Sequence, residues 1–136
     1  METLYCLTFF SNPNGDHREG FRIGLFRTCA EAEAVEQRYR EQVPGFRDCD
    51  CEAEITPVPL LGVGKEEFVY RFMGWNENEA LDEVDILESD CYSDLRQAET
   101  AFRKAKQTYP RAQWSLDRWT IGQCFWQDGF VRVSCE

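Results

Sequence analysis

The sequence predicts an α+β fold in which a ββαβ unit occurs twice, giving an antiparallel sheet with two helices on one face. Two amphipathic segments with helical spacing begin 66 residues apart, near Cys29 and Leu95. Each segment follows two strand-like apolar stretches and precedes a third. The two halves agree at helix caps, helix ends and apolar positions, which are the features that determine structure. We therefore interpret the chain as a tandem duplication.

The composition predicts a single compact domain, 1–136, built of two duplicated halves, 1–63 and 64–136. Of the 136 residues, 43% are apolar and 14% are aromatic, which is enough to bury a core. The 25 acidic and 15 basic residues give a formal net charge of −10. This balance argues against a nucleic-acid partner, because nucleic-acid affinity depends on Lys and Arg side chains at phosphates.

The same sequence predicts a cytoplasmic protein that does not associate with membranes. Its apolar stretches are too short to cross a bilayer. The first ten residues lack the basic region of a signal peptide and have the pattern of a first strand. The cysteines number 7, and an odd count without an export signal indicates reduced thiols.

The first half has the pattern strand, strand, helix, strand. Its helix, about residues 29–42, begins with a capping box formed by Thr28 and Glu31. It should end at Val43, because a proline and a glycine follow. Strands are expected at 4–10, 21–25 and 48–55, and a linker between the halves at 57–64.

The second half repeats this order. Its helix, about residues 95–108, has Asp94 and Gln97 as a capping box, and Pro110 follows its end. Strands are expected at 68–75, 84–87 and 114–121. Asp128 and Gly129 stand between two apolar stretches, 124–126 and 130–133, and this pattern predicts a terminal hairpin.

The strands that follow the two helices differ in their outward side chains. In 48–55 the cysteines and apolar residues alternate with four acids, Asp48, Asp50, Glu52 and Glu54. At an offset of 66, these acids correspond to Trp114, Leu116, Arg118 and Thr120. One interpretation places Trp114, Leu116 and Arg118 on the sheet face opposite the helices, as an apolar interface. The alternative is a β-bulge near Asp117 and Arg118 that turns Trp114, Leu116, Trp119 and Ile121 into the core.

Three groups of residues are candidates for a metal-binding or catalytic site. Cys49 and Cys51 share the apolar face of a strand, and no second cysteine pair has ligand spacing, so no metal and no other cofactor is expected. Cys29 lies in the first turn of a helix beside Arg27, where its thiol pKa should fall, and His17 is the one available general base. This nucleophile and base pair is the alternative to a non-catalytic protein. The acid-rich stretch between Phe72 and Leu95 lacks the spacing of a calcium loop.

The second half resembles a group of small uncharacterised bacterial proteins. The resemblance lies in Tyr92-Ser93-Asp94, the helix that follows, Trp114-Ser115-Leu116-Asp117, and Trp126-Gln127-Asp128-Gly129-Phe130-Val131. The group has the pattern Y-S-S, a helix, a strand with an aspartate, and W-x-E-G-F-V. The resemblance implies a bacterial cytosolic origin and a ββαβ unit. It implies no activity, cofactor or catalytic residue.

Together these observations predict a non-catalytic protein-binding or accessory module, of the immunity-protein kind. It would bind a basic protein, or a second copy of itself as a homodimer, through an acidic surface and a Trp-bearing sheet face. The predicted partner-binding residues are Trp114, Leu116, Arg118, Asp48, Asp50, Glu52 and Glu54. The alternative is a small-ligand-binding or enzymatic α+β domain with a pocket between the two halves.

Overall fold

A computed structural model describes residues 2–11, 19–62, 67–78 and 83–129, and the fold is α+β. Within the first half of the chain, the elements are β1 (Glu2–Ser11), β2 (Glu19–Phe26), α1 (Cys29–Gln42) and β3 (Cys51–Leu61). The second half contains β4 (Phe68–Asn78), β5 (Glu83–Glu88), β6 (Cys91–Tyr92), α2 (Leu95–Thr108) and β7 (Gln113–Thr120). Neither helix of the described chain has the length and apolar character needed to span a membrane.

The described residues group into two compact units. The first unit contains Thr3–Val58 and residues 121–129, and the second unit contains Glu2 and Pro59–Thr120. The chain therefore passes from the first unit into the second within β3 and returns to the first unit after β7. The second unit is almost continuous in sequence, whereas the first is assembled from two separate segments.

Both helices begin and end where the sequence predicts. The Thr28 hydroxyl accepts a hydrogen bond from the Glu31 amide at 3.1 Å, and the Asp94 carboxylate accepts one from the Arg96 amide at 3.2 Å. These bonds satisfy backbone N–H groups that have no partner inside a helix. Each helix is followed by one residue that closes its last turn and then by a proline, since Pro44 and Pro110 cannot continue a helix.

The strand order is the same around the first hairpin of each half. In the first unit the neighbours are β2, β1 and β3, and in the second unit they are β5, β4 and β7. The pairs β1–β2, β4–β5, β4–β6 and β4–β7 are antiparallel. The end of β3 is parallel to β6, with Leu60 opposite Cys91. The sheet is therefore mixed, and the prediction of a purely antiparallel sheet is wrong because it did not include β6.

The core of the first unit is formed where α1 packs on β1 and β2. Tyr39 of α1 is fully buried, and its ring lies 6.1 Å from that of Phe9 and 5.5 Å from that of Phe46. Ala32 of α1 and Ile23 of β2 are also fully buried in this cluster. Since burial of large apolar side chains is the main stabilising contribution in a small domain, this cluster stabilises the first unit.

The strand after α1 begins later and continues further than predicted. Residues 44–48 form turns, with the Arg47 amide donating to the Val43 carbonyl at 2.9 Å and the Cys49 amide to the Gly45 carbonyl at 2.8 Å. These turns occupy the start of the predicted strand, so β3 begins at Cys51. It continues to Leu61, and most of the predicted linker at 57–64 is therefore strand.

Residues 122–126, which we call the C-terminal strap, lie along the outer edge of β2. The Gly122 amide donates to the Leu25 carbonyl at 2.7 Å, and the Phe125 amide donates to the Ile23 carbonyl at 2.8 Å. A Cβ atom on Gly24 would overlap the carbonyl oxygen of Gln123, so this close approach requires glycine. Residues 124–126 are not a strand, and the second arm of the predicted hairpin, 130–133, lies outside the described residues.

Candidate functional site

A cleft of about 460 Å³ lies in the second unit, between the C-terminal half of α2 and the strands beneath it. Its aromatic surface is formed by Phe72 of β4, Tyr92 of β6, Trp114 of β7 and Tyr109 after α2. Residues 86–90 form the opposite border and include two acids, Glu88 and Asp90. We call this the aromatic cleft.

The aromatic rings of the cleft are positioned by packing against β4 and α2. The Phe72 ring centroid lies 5.3 Å from that of Phe102 and 6.0 Å from that of Trp114. The Trp114 indole lies over Gly74, where a Cβ atom would approach the ring within 2.6 Å. Its Nε1–H donates to the carbonyl of Tyr109 at 3.3 Å. The Trp114 indole is thus held against β4 at Gly74, with part of its surface exposed to solvent.

The acidic border is held in place by a buried arginine. Arg71 is only 3% exposed, and its Nη2 donates to Glu88 Oε2 at 2.9 Å while its Nε donates to the Ser89 carbonyl at 2.9 Å. The Ser89 hydroxyl accepts the Phe72 amide at 2.9 Å and donates to the Asp90 carbonyl at 2.7 Å. A buried cation requires such compensation, so Arg71 fixes the backbone at 88–90.

The cleft combines aromatic rings with polar groups along its border. Burial raises the pKa of Tyr92, and the negative charge of Asp90 raises it further, so the phenol is protonated at neutral pH and can donate a hydrogen bond. The Ser89 hydroxyl is engaged with backbone groups on both sides. The residues described around the cleft include neither cysteine nor histidine. They offer apolar surface, ring faces and negative charge.

The structure places Trp114 on the α2 side of the sheet. Its ring lies 6.0 Å from that of Phe102 of α2, so the prediction that it faces away from the helices is wrong. Leu116 is half-buried opposite Phe72, and Arg118 is exposed, with its guanidinium 5.0 Å from the centroid of the Phe68 ring.

The alternative interpretation is correct in turning Trp114 and Leu116 toward α2, but the β-bulge that it invokes is absent from β7. The pairing of β7 with β4 is continuous from Gln113 to Thr120, without a shift in register. Trp119 therefore faces the side of the sheet opposite Trp114. The offset of 66 residues between the two halves does not extend to the strands that follow the helices. Eight residues connect α1 to β3, whereas four connect α2 to β7.

The four predicted acids lie in the first unit and have different environments. Asp48 is in the turn before β3 and pairs with Arg47 at 2.7 Å, and this hydrogen bond lowers the pKa of the Asp48 carboxyl. Asp50, Glu52 and Glu54 are exposed. From residue 51 onward the predicted alternation is confirmed.

The alternative catalytic pair gains no support from the structure. Cys29 is exposed, and its thiol donates to Glu33 Oε1 at 3.4 Å. This hydrogen bond raises the pKa of Cys29, opposite to the predicted effect of the helix dipole and Arg27. His17 lies outside the described residues.

The structure groups no three potential metal ligands within the parts of the chain that it describes. The prediction that Cys49 and Cys51 face the apolar side is confirmed: Cys51 is buried in the core cluster of the first unit, and Cys49, just before β3, is partly buried against the same cluster.

The sequence analysis predicts a site role neither for Arg71, which holds the border of the cleft, nor for Tyr92, which lines it. Arg71 has a signal, since it is the one charged residue between Phe68 and Met73 in an apolar strand. Tyr92 belongs to a strand of two residues, which is too short to produce a periodic pattern.

Comparison with known proteins gives no relative from which a function can be transferred. No family model, no curated protein and no solved structure matches this chain.

Proposed function

We propose that this protein is a non-catalytic binding module that takes a basic protein partner at the aromatic cleft. The observation that supports this proposal is the combination of part-exposed aromatic rings with an acidic border. Tyr109 is 40% exposed, and Tyr92 and Trp114 beside it are half-buried. Apolar and aromatic surface of this kind is typical of the centre of an interface, where a few residues provide most of the binding energy.

Charge selects the partner in this proposal. A Lys or Arg side chain can lay its apolar stem along the rings of Tyr92 and Trp114 while its cationic group approaches Asp90. The formal net charge of −10 accelerates encounter with a basic surface and repels acidic proteins. An accessory protein of the immunity kind in a bacterial cytoplasm would act in this way.

A small organic cation is the second candidate. The cleft volume of about 460 Å³ is within the range of small-molecule sites, roughly 300–1,000 Å³. The same rings and acids would bind such a ligand.

We also propose that the two halves are a tandem ββαβ duplication with both helices on the same face. The supporting observations are the equal helix lengths, the N-caps at Thr28 and Asp94, and the matching orders β2, β1, β3 and β5, β4, β7. Both halves would then have begun with equivalent sites. Self-association through the cleft of the second half is a further outcome to test.

The test is a titration of the intact protein with lysine- and arginine-rich peptides that contain one aromatic residue, measured by calorimetry. Trp114→Leu should weaken binding at least tenfold, equivalent to about 1.4 kcal/mol. Trp126→Leu is the matched control, because Trp126 is an indole of the first unit, 46% exposed and outside the aromatic cleft, and this variant should bind normally. Asp90→Asn should weaken binding, whereas Asp50→Asn should not.

Equal binding by the Trp114→Leu and Trp126→Leu proteins would overturn the proposal. Sedimentation of the protein without peptide tests self-association. A dimer that Trp114→Leu dissociates would replace the basic partner with a second copy of the chain.

A further inference from the structure

The first unit shows how an outer strand and the adjacent helix can be covered by an extended segment. The C-terminal strap donates backbone hydrogen bonds from Gly122 and Phe125 to β2. The Tyr39 hydroxyl of α1 donates to the Phe125 carbonyl at 2.7 Å. The Trp126 ring packs edge-on against Phe21, with centroids 4.8 Å apart. Main-chain bonds therefore align the strap, and aromatic side chains anchor it.

In the second unit, β5 has the position that β2 has in the first. Each is the second strand of a hairpin and the last strand in its neighbour order. Among the described residues, the strand order records no segment on the outer side of β5. An outer strand presents backbone N–H and C=O groups that another strand can pair with.

The two helices carry different side chains at their eleventh residue. Tyr39 is the eleventh residue of α1, and Ala105 is the eleventh residue of α2. Tyr39 is fully buried and contacts the strap, whereas Ala105 lines the aromatic cleft. The second unit thus has an open cleft where the first has a tyrosine and an ordered segment.

The surface along β5 combines exposed apolar side chains with negative charge. Ile86 is 53% exposed and lies opposite Trp75 on the neighbouring strand, which is 38% exposed. Asp85 and Asp90 add negative charge on either side of Ile86 and Leu87. Apolar side chains and flanking cations on a segment would match this surface.

We propose that the outer edge of β5 binds an extended segment of a basic partner protein as an added strand, with one aromatic side chain of that segment in the aromatic cleft. The inference rests on the proposed function and specifies its binding mode. In strand addition, main-chain hydrogen bonds provide affinity, and pockets for alternate side chains provide specificity. The aromatic residue and the flanking Lys or Arg provide that specificity here.

The experiment uses the intact protein and a synthetic peptide. The peptide has the sequence of residues 121–128 with the change Cys124→Ser and two lysines added at each end. Amide chemical shifts and amide hydrogen exchange of the protein report where it binds. We expect changes and increased protection at residues 85–88.

Two N-methylated versions of the peptide test strand addition directly. A strand pairs through the N–H groups of one edge, which belong to alternate residues. Methylation on the pairing edge should weaken binding at least tenfold, and methylation on the other edge should change it less than twofold.

Ala105→Tyr should also weaken binding at least tenfold, because it fills the cleft as Tyr39 does in the first unit. Lys104→Tyr is its matched control, since Lys104 is exposed and does not line the aromatic cleft. Melting curves check that both variants fold. If Ala105→Tyr does not fold, the two methylated peptides still test strand addition on the wild-type protein.

Equal binding of the two methylated peptides, together with loss of binding in Trp114→Leu, would show that strand addition is wrong while the proposed function holds. Shifts confined to β2 and the strap, or no binding of the peptide, would overturn the inference. If the basic peptides also fail to bind, the proposed function is wrong as well.

Discussion

The two helices have the same length and equivalent N-caps, but they are covered to different extents. In α1, Ala32 and Tyr39 are fully buried, whereas in α2 Ala98 alone is buried. Leu95 at the start of α2 and Tyr109 just after it are each 40% exposed. The comparison shows that equivalent local sequence signals specify a helix without specifying how closed its surroundings are. Part of the cover over α1 comes from a distant segment, residues 122–126, which Arg38 and Tyr39 contact.

The largest expected difference between the units concerns the aromatic residue that each helix contributes. Tyr39→Ala should reduce the free energy of unfolding by about 3–5 kcal/mol, because it empties a fully buried site and removes the bond to Phe125. Phe102→Ala should cost less, roughly 1–2 kcal/mol, since Phe102 is only half-buried. Denaturant unfolding of both variants measures the difference. Equal losses would mean that α2 is covered as fully as α1.

A smaller effect should appear at alkaline pH. Burial, and then the nearby Cys124, raises the pKa of Tyr39 to about 12. The unfolded phenol titrates near 10, so the stabilisation is complete below that pH and is lost as the pH rises from 10 to 12. The loss should be roughly 2–3 kcal/mol, because each pKa unit corresponds to about 1.4 kcal/mol.

Tyr39→Phe is the matched control for this pH dependence. The difference in unfolding free energy between the wild type and Tyr39→Phe should shrink between pH 10 and pH 12. A difference that stays constant over that range would mean that the hydroxyl is accessible to solvent, and that the strap does not close this site.

The smallest expected effect is the same in both units. Thr28→Ala and Asp94→Ala should each lower the free energy of unfolding by about 1 kcal/mol, because each removes a hydrogen bond to a helix N-terminal amide. Thr100→Ala, at an exposed position within α2, should change it by less than about 0.5 kcal/mol. Unequal losses at the two caps would show that the helix starts are not equivalent.

The features that could be predicted from the sequence are those determined by neighbouring residues. The helix bounds follow from Thr28, Asp94 and the two prolines, and most strands follow from local alternation. The start of β3 could not be predicted, because the turns that Pro44 and Gly45 begin continue to residue 48 through backbone bonds, and residues 46–48 carry no turn pattern of their own. The orientation of Trp114 depends on the length of the connection from α2 to β7, which the offset of 66 does not preserve.

The cleft itself could be predicted only in part. Trp114 was identified as a binding residue from its place in the second half, but for the wrong face of the sheet. The cleft also requires Phe72, Tyr92 and the segment at 88–90, which come from separate strands and meet only after the chain has folded. Arg71, which holds that segment, acts through contacts with Glu88 and Ser89, 17 and 18 residues away.

The return of the chain to the first unit after Thr120 has a consequence during synthesis. The second unit is complete in sequence once Thr120 has left the ribosome, although its main segment begins only at Pro59. The first unit, begun earlier, lacks the strap on β2 until residues 122–126 emerge. Because domains fold as their segments become available, the edge of β2 is exposed throughout the translation of the second unit. A nascent chain that is arrested before residues 122–126 emerge would therefore have the edge of β2 uncovered, although β2 is among the first strands to be synthesised.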